Sequence, residues 1–265
     1  MNYGVSLYSI IPMRTEPSEQ SEMVSQLLFG ESYQVVTREE HWIRITTRFD
    51  NYTGWVDSKM HNEIDETTYT RISEEQPMHV LSSLLMSIER HGQPPQLILA
   101  GSTMPGYNRK KNLIEIGNVL FHVRWTFGEF ASNGLSSIHK TAGQFLNTPY
   151  LWGGRSIVGC DCSGFVQVVF KIHGIKLKRD SSQQAEQGEI VPSLEMAHLG
   201  DLAFFADDEG RIYHVGLIIS ASEIVHSSGF VHIDRLDKTG IYSLQMQKYT
   251  HRLFSIRRVT GLPRL

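Results

Sequence analysis

Residues 149–173, PYLWGGRSIVGCDCSGFVQVVFKIH, decide the fold of this chain. Glycine-rich turn signals lead to Cys162, and after it the apolar residues recur at three- and four-residue steps, as on one face of a helix. Gly174 predicts where this helix ends. Cys162 therefore falls in the first helical turn, where free backbone N–H groups and the helix dipole favour a thiolate.

A free cysteine at a helix start is also an ordinary core residue, so the chemistry depends on a base. Two histidines lie on strand-like runs further along: His214 in residues 211–219, RIYHVGLII, and His226 in residues 223–228, EIVHSS. Strand alternation places each ring on an apolar face, where a polar group needs a partner. Cysteine on a helix start, histidine on a strand and a polar group on the next strand is the arrangement of papain-like thiol catalysis.

Four motifs in chain order make this interpretation specific. They are 149–154 PYLWGG, 159–166 GCDCSGFV, 200–205 GDLAFF and 214–216 HVG. Together they resemble the ordered signature of the NlpC-type cell-wall cysteine peptidases, over residues 136–255. The resemblance implies that Cys162 attacks an amide carbonyl, His214 moves the proton, His226 orients His214, and Tyr150 offers a hydroxyl on the oxyanion side. It implies no metal and no cofactor.

The N-terminal part is rich in short strands. Residues 1–60 alternate β-rich runs with turns, which predicts a small barrel, and residues 14–31 with Trp42 and the Gly-Trp-Val run at 54–56 resemble a bacterial SH3-like barrel. Residues 61–130 are less regular, and the resemblance implies a second, divergent barrel there.

The remaining residues, 131–265, hold the signature motifs and open with a predicted helix over 136–147, capped at Ser136 or Ser137. The predicted fold class is α+β, with a papain-like catalytic domain preceded by two small SH3-like β-barrels.

The same resemblance implies a substrate. Peptidases that join this domain to leading barrels cleave murein stem peptides between γ-D-glutamate and the diamino acid, which is meso-diaminopimelate or lysine, and prefer a free N-terminal L-alanine. Catalytic-domain positions matching their substrate contacts are Asp161, Ser163, Trp152, Asp180 and Ser181. In the first barrel, Glu22 and Tyr52 are expected to hold the substrate amine, with Glu19 as the alternative carboxylate. Asp180 and Ser181 fit a helix cap equally well, and Glu22 fits a solvated loop charge.

Composition limits the other possibilities. The 265 residues are 40% hydrophobic and 20% charged with net charge −3, which is typical of a globular protein and gives no basic footprint for nucleic acid. The sequence holds no apolar run long enough to predict a membrane span. Residues 1–8 show no basic region and no long apolar core, so we expect a cytoplasmic protein; a leader removed earlier would place it in the periplasm or outside the cell.

Three alternatives remain beside the peptidase. Cys160, Cys162, His214 and His226 depart from the usual spacings of structural zinc sites, which argues against a metal site. An amidase or acyltransferase would use the same triad on another amide or ester. A wall-binding protein with an inactive catalytic domain would be signalled by loss of the cysteine, histidine or tyrosine, and all three are present.

Overall fold

The computed structural model describes residues 2–75, 78–129 and 137–259. The chain divides into two compact units, Met1–Phe130 and Ala131–Arg264. The first unit opens with a seven-stranded antiparallel sheet whose strands are β1 (Asn2–Val5), β2 (Ile10–Arg14), β3 (Met23–Leu28), β4 (Ser32–Glu39), β5 (Trp42–Thr47), β6 (Thr53–Asp57) and β7 (Glu63–Ile64). Their order in the sheet is β3-β2-β6-β5-β4-β1-β7.

Alternation along these strands builds the first core. In β2, Ile11 and Met13 are buried while their neighbours are only partly so, as expected for a sheet with one face inside. The cluster they join consists of Ile11, Met13, Leu27, Tyr33, Ile43, Ile45 and Val56.

A helix that the sequence analysis did not predict follows the first sheet. It is α1 (Glu66–Glu74), and its N-cap Asp65 accepts a hydrogen bond from the backbone N–H of Thr68 at 2.7 Å. Threonines and a tyrosine obscure the helix, because these residue types favour strands. The cap and the buried Tyr69 and Ile72, three residues apart, stabilise it.

The rest of the first unit is a four-stranded antiparallel sheet in the order β10-β11-β8-β9. Its strands are β8 (Ser83–Arg90), β9 (Gln96–Leu99), β10 (Leu113–Ile116) and β11 (Val119–Glu129). Val5 of the first sheet and Phe29, in the turn after β3, share one hydrophobic cluster with Ile72 of the helix and with Ile88 and Phe121 of this sheet. The predicted boundary at residue 60 therefore lies inside one compact unit, and it stays a prediction.

The second unit holds a two-stranded hairpin and a seven-stranded antiparallel sheet in the order β14-β20-β15-β16-β17-β18-β19. The strands are β12 (Arg155–Ser156), β13 (Gly159–Cys160), β14 (Glu189–Val191), β15 (Leu202–Ala206), β16 (Ile212–Ser220), β17 (Glu223–Ser228), β18 (Phe230–Leu236), β19 (Gly240–Ser243) and β20 (Lys248–Arg258). Because β20 pairs with both β15 and β19, the six strands β15 to β20 close into a ring.

The helices of this unit are α2 (Ile138–Gly143), α3 (Cys162–Ile172) and α4 (Ser181–Gln184). Helix α3 packs against β16 and β17, and it ends where predicted, since Gly174 takes a left-handed φ of 77°. Helix α2 is shorter than the predicted 136–147: it ends at Gly143, Asn147 has φ 68°, and Ser136 lies outside the described residues. None of the described helices has the length and hydrophobicity needed to cross a membrane.

Candidate active site

Cys162 occupies the first turn of α3, and Asp161 caps that turn. Oδ1 of Asp161 accepts from the backbone N–H of Gly164 at 2.7 Å, and Oδ2 accepts from the N–H of Gly153 at 2.9 Å. A capping carboxylate satisfies N–H groups that the helix itself leaves free. The cap thereby fixes both the start of the helix and the position of the sulfur.

Arg179 belongs to the segment that matches a peptide-contacting stretch of the relatives, but its pairing with Asp161 was not predicted from the sequence. Its side chain is almost fully buried, and Nη1 donates to Oδ1 of Asp161 at 3.0 Å and to Oγ of Ser163 at 2.9 Å, while Nη2 pairs with Oδ2 of Asp161. Asp161 and Ser163 were predicted to contact substrate, and in the structure both side chains accept hydrogen bonds from Arg179. Their role toward substrate stays a prediction.

Glycines allow the 153–154 turn to lie against the helix start. A Cβ atom on Gly164 would lie 2.1 Å from the carbonyl oxygen of Gly154, and a Cβ on Gly154 would lie 2.5 Å from the carbonyl oxygen of Gly159. Both distances are far below van der Waals contact, so any side chain would force the turn and helix apart. This contact is the physical reason that both motifs carry glycine.

The Cys162 side chain is buried, at 7% exposure. Burial, and then the charge of Asp161, raise the pKa of its thiol to about 12, while the backbone N–H groups of Val215 and Ser163 act in the opposite direction. A thiol with this pKa is protonated at neutral pH, so it would need a base to act as a nucleophile. The contact with Val215 puts the sulfur beside the residue that follows His214.

His214 and His226, the two predicted catalytic histidines, meet across β16 and β17. Gly216 is the register partner of His226, and Nε2 of His214 lies 2.9 Å from Nδ1 of His226. A Cβ on Gly216 would lie 2.6 Å from the side chain of Ile224 and 3.0 Å from Cβ of His226. The glycine of the His-Val-Gly motif thus makes room for the second histidine.

Asp234 lies against the second ring nitrogen of His226, and the sequence analysis did not identify it. It is buried at 2% exposure; its Oδ2 lies 3.3 Å from Nε2 of His226, and its Oδ1 accepts from the backbone N–H of Leu244 at 2.8 Å. The available signal was a carboxylate within the strand-like run 230–236, FVHIDRL.

Asp234 also decides which ring nitrogens carry protons. A carboxylate only accepts, so the proton of His226 lies on Nε2, and its Nδ1 accepts from the Nε2–H of His214. The lone pair on Nδ1 of His214 is then free to take a proton.

His251 is a further histidine that the sequence analysis missed. Its ring stacks on that of His214, with centroids 4.2 Å apart and planes at 28°. Burial lowers the pKa of His214 well below its ordinary value, and His226 and His251 lower it further. Burial also lowers the pKa of His251 to about 4. Both rings are therefore neutral at pH 7, which is the form in which His214 can act as a base.

Tyr150, the predicted oxyanion-side residue, is half-buried near Cys162. Its backbone N–H donates to the carbonyl of Gly229 at 2.9 Å. Burial raises the pKa of its phenol, and negative charge on Cys162 and Asp161 raises it further. The hydroxyl therefore stays protonated and is able to donate a hydrogen bond.

The other predicted substrate contacts differ in exposure. Trp152 is 60% exposed. Asp180 is the N-cap of α4, Ser181 is its first residue, and both are half-buried. The backbone N–H of Asp180 donates to Oε1 of Gln183 at 3.4 Å, which fits the capping interpretation.

Glu22, Tyr52 and Glu19 all belong to the first unit. Glu22 is exposed beside β3, and its carbonyl accepts from the N–H of Thr15. Tyr52 packs against the core of the first sheet. Glu19 forms a 3.2 Å ion pair with Arg14, so this alternative carboxylate already has a cationic partner. Recognition of the substrate amine by these residues stays a prediction.

Cys160 is a buried free thiol, as is Cys162, and burial raises the pKa of Cys160 to about 12. The zinc set weighed from the sequence contained both cysteines. Within residues 2–75, 78–129 and 137–259, the group of three side chains with converging metal-ligand atoms is a different one, His226, His232 and Asp234.

Comparison with known proteins identifies the family. Residues 147–258 match the model of the NlpC/P60 family, and residues 13–60 match that of the bacterial dipeptidyl-peptidase Sh3 domain. The gamma-D-glutamyl-L-lysine dipeptidyl-peptidase of Bacillus subtilis is 30% identical over 264 residues, which cover 88% of this chain and 80% of that relative. The chain belongs to the NlpC/P60 family.

Other relatives agree with this assignment. The gamma-D-glutamyl-L-lysine dipeptidyl-peptidase of Bacillus cereus is 26% identical over 237 residues, covering 78% of this NlpC/P60 chain and 68% of the relative. A crystal structure of an NlpC/P60 family protein from Bacillus cereus superposes with a TM-score of 0.79 at 19% identity, covering 98% of this chain and 100% of the other. At that identity the likeness shows the fold alone.

These findings confirm the predicted family and the predicted fold class, a papain-like domain behind SH3-like β-structure. This NlpC/P60 chain is a cysteine peptidase with peptidoglycan peptidase activity. The domain boundaries 1–60, 61–130 and 131–265 stay predictions.

Proposed function

We propose that this NlpC/P60 chain hydrolyses the γ-D-glutamyl-diamino acid bond of murein-derived peptides that carry a free N-terminal L-alanine. The observation that carries the proposal is the 2.9 Å hydrogen bond between His214 and His226, because it leaves Nδ1 of His214 as a base for Cys162. The relatives from Bacillus subtilis and Bacillus cereus are gamma-D-glutamyl-L-lysine dipeptidyl-peptidases, which supports the choice of bond.

The first half of the mechanism forms a thioester. Nδ1 of His214 takes the thiol proton as the sulfur of Cys162 bonds to the scissile carbonyl carbon. The resulting oxyanion accepts hydrogen bonds from the backbone N–H of Cys162 and from the hydroxyl of Tyr150. Positive charge on His214 is stabilised through its Nε2–H, which donates to His226, whose own Nε2–H donates to the Asp234 carboxylate.

The second half restores the thiol. The carbon–nitrogen bond breaks, and the proton on His214 passes to the departing amine of the diamino acid. Water then attacks the thioester, giving its proton to His214, and L-Ala-γ-D-Glu leaves as the acid. Collapse of this second tetrahedral intermediate returns the proton to the sulfur.

Substrate selection is assigned to the predicted contact residues. An ammonium group that loses its water needs a carboxylate and a hydrogen-bond partner, and we assign these roles to Glu22 and Tyr52, with Glu19 as the alternative to Glu22. Trp152, Asp180 and Ser181, together with Asp161 and Ser163, are proposed to contact the stem peptide. A cytoplasmic location, which we also propose, would suit turnover of recycled murein fragments.

Mass spectrometry on defined muropeptides tests the proposal. We expect L-Ala-γ-D-Glu from peptides with a free L-alanine, and little cleavage of their N-acetylated forms. Cys162→Ala serves as the inactive control. Glu22→Gln should lower kcat/KM for the free peptide by about 10- to 100-fold, the loss of one charge-assisted hydrogen bond.

Two results would contradict parts of this proposal. Cleavage at another bond would overturn the assigned activity, and acyl transfer to an added amine without hydrolysis would favour the acyltransferase alternative. Equal cleavage of free and acetylated peptides would remove the role of Glu22 and Tyr52.

A further inference from the structure

Three side chains on β17 and β18 bring possible metal ligands together. His226 and His232 are register partners, and Oδ2 of Asp234 lies 3.3 Å from Nε2 of His226 and 3.1 Å from Nε2 of His232. All three atoms lie within 4.8 Å of one another. Ligand atoms bound to a tetrahedral Zn²⁺ at about 2.0–2.1 Å are themselves roughly 3.3 Å apart. The two distances from Oδ2 of Asp234 already match this spacing.

Each of the three ligands is oriented by a second hydrogen bond. Nδ1 of His232 lies 2.8 Å from the carbonyl oxygen of Phe230, Oδ1 of Asp234 accepts from the N–H of Leu244, and Nδ1 of His226 is bonded to His214. Such outer partners are what hold metal-binding histidines and carboxylates in place. The orientation of the group is thus built into the fold.

Nε2 is the nitrogen of His232 that faces the proposed ion. A carbonyl oxygen only accepts, so Nδ1 of His232 carries a proton, and in a neutral ring the lone pair on Nε2 then faces the Asp234 carboxylate. A divalent cation between these two atoms would be coordinated by both of them. The His232 side chain is 18% exposed, against 1% for His226 and 2% for Asp234, and so offers the ion a path from solvent.

We propose that His226, His232 and Asp234 bind a divalent transition metal, with Zn²⁺ as the preferred ion, and that the bound ion switches the peptidase off. Two imidazoles and a carboxylate are donors that Zn²⁺ favours, and water completes the coordination. The ion is an inhibitor in this proposal and takes no part in bond cleavage.

Inhibition follows from the protons that the two catalytic histidines carry, and this step rests on the proposed function. A metal on Nε2 of His226 requires the lone pair of that atom, so the proton of the ring moves to Nδ1. Nδ1–H then donates to Nε2 of His214, whose own proton must sit on Nδ1. The two rings keep two protons between them, but Nδ1 of His214 has lost the lone pair that would accept the proton of Cys162.

Zinc binding is tested without any substrate. The full chain carrying Cys162→Ala, so that the thiol cannot contribute, is treated with chelator and titrated with zinc chloride by calorimetry. We expect one ion per chain, and at least about tenfold weaker binding after His232→Gln is added. His251→Gln is the matched control, because that ring lies 5.7 Å from His226 yet belongs to no part of the three-ligand group.

Two outcomes of the titration would overturn the site. Binding that His232→Gln leaves unchanged would do so, as would binding that His251→Gln abolishes. Circular dichroism of each variant shows that the fold is retained, and Asp234→Asn provides a second ligand variant if His232→Gln fails to fold.

The switch is tested by alkylation. In a Cys160→Ala background, where Cys162 is the remaining thiol, we expect zinc to slow iodoacetamide labelling, and His232→Gln to require at least about tenfold more zinc for the same slowing. Each variant is compared with its own zinc-free rate. Zinc that binds without slowing labelling would overturn the inhibitory role. Zinc-sensitive labelling in a chain that cleaves no muropeptide would leave the inference standing and refute only the proposed function.

Discussion

Two buried carboxylates flank the proposed catalytic centre, and they are held in different ways. Asp161, at the start of α3, accepts from two backbone N–H groups and from the guanidinium of Arg179. Asp234, on β18, accepts from one backbone N–H group and lies against two histidine rings. Each carboxylate is at most 7% exposed, so both depend on their partners for compensation of the charge.

The difference lies in the partners. A guanidinium is charged at every pH that the protein meets, so Asp161 and Arg179 form a fixed pair that positions the nucleophile. Imidazole gains and loses protons near neutral pH and carries them on either nitrogen, so Asp234 controls where protons sit. We expect damage at Asp161 to reduce stability first and damage at Asp234 to reduce turnover first.

The largest effect should come from His214→Ala. In the proposed mechanism His214 takes the proton from Cys162 and returns it to the leaving amine, so kcat/KM should fall on the order of 10⁴-fold. Steady-state cleavage of a muropeptide measures this, with His226→Ala as the milder comparison because we propose that His226 only orients the base. A His214→Ala variant that retains a tenth of wild-type activity would exclude it as the base.

Arg179→Met should produce the largest loss of stability. It leaves the Asp161 carboxylate buried beside a neutral side chain, and breaking a buried ion pair from one side costs about 3–5 kcal/mol. Urea unfolding measures the change. Adding Asp161→Asn to Arg179→Met removes the unpaired charge and should recover part of the lost stability. If Asp161→Asn instead destabilises the Arg179→Met variant as much as it destabilises the wild type, the two residues act independently.

Asp234→Asn should leave the free energy of unfolding nearly unchanged and lower kcat by about 10- to 100-fold. The amide keeps the shape of the side chain, but it no longer fixes the proton of His226 on Nε2. Imidazole ¹⁵N chemical shifts of wild type and variant report the tautomers of His214 and His226. Unchanged tautomers together with unchanged kcat would show that Asp234 is only structural.

The smallest effect concerns the dependence of stability on pH. The pKa of His251 is lowered from 6.5 to about 4 by burial, so between these values the unfolded chain binds protons that the folded chain does not. The free energy of unfolding should therefore fall as the pH falls from about 6.5 to about 4. His251→Gln should make that dependence shallower in urea unfolding at several pH values, and an equal slope in wild type and variant would contradict the assignment to His251.

The elements that carry the chemistry were predictable from local pattern. Cys162 begins α3 and Gly174 follows its end, and His214 and His226 lie on neighbouring antiparallel strands as alternation indicates. The glycines at 164 and 216 are explained by close contacts: a Cβ atom would lie 2.1 Å from the carbonyl oxygen of Gly154 in the first case and 2.6 Å from the side chain of Ile224 in the second. In each case a few residues close together in the chain were enough to predict the element.

The partners of these residues were not predictable in the same way. Arg179 is 18 residues from Asp161, and Asp234 is eight residues from His226, across a strand pair whose register the local sequence does not specify. His251 reaches His214 only because β20 enters the sheet beside β15. Helix α1 was missed for the opposite reason, since its threonines favour strand while a single capping aspartate favours helix.

Closure of the ring by β20 has a consequence for the order of folding. Strand β15 lies between β16 and β20 in the sheet, although β20 is more than forty residues further along the chain. During synthesis, His214 and His226 leave the ribosome well before the strand that carries His251 and closes the ring. Cys162 is made earlier still. We therefore expect the nascent chain to gain activity only after β20 pairs with β15.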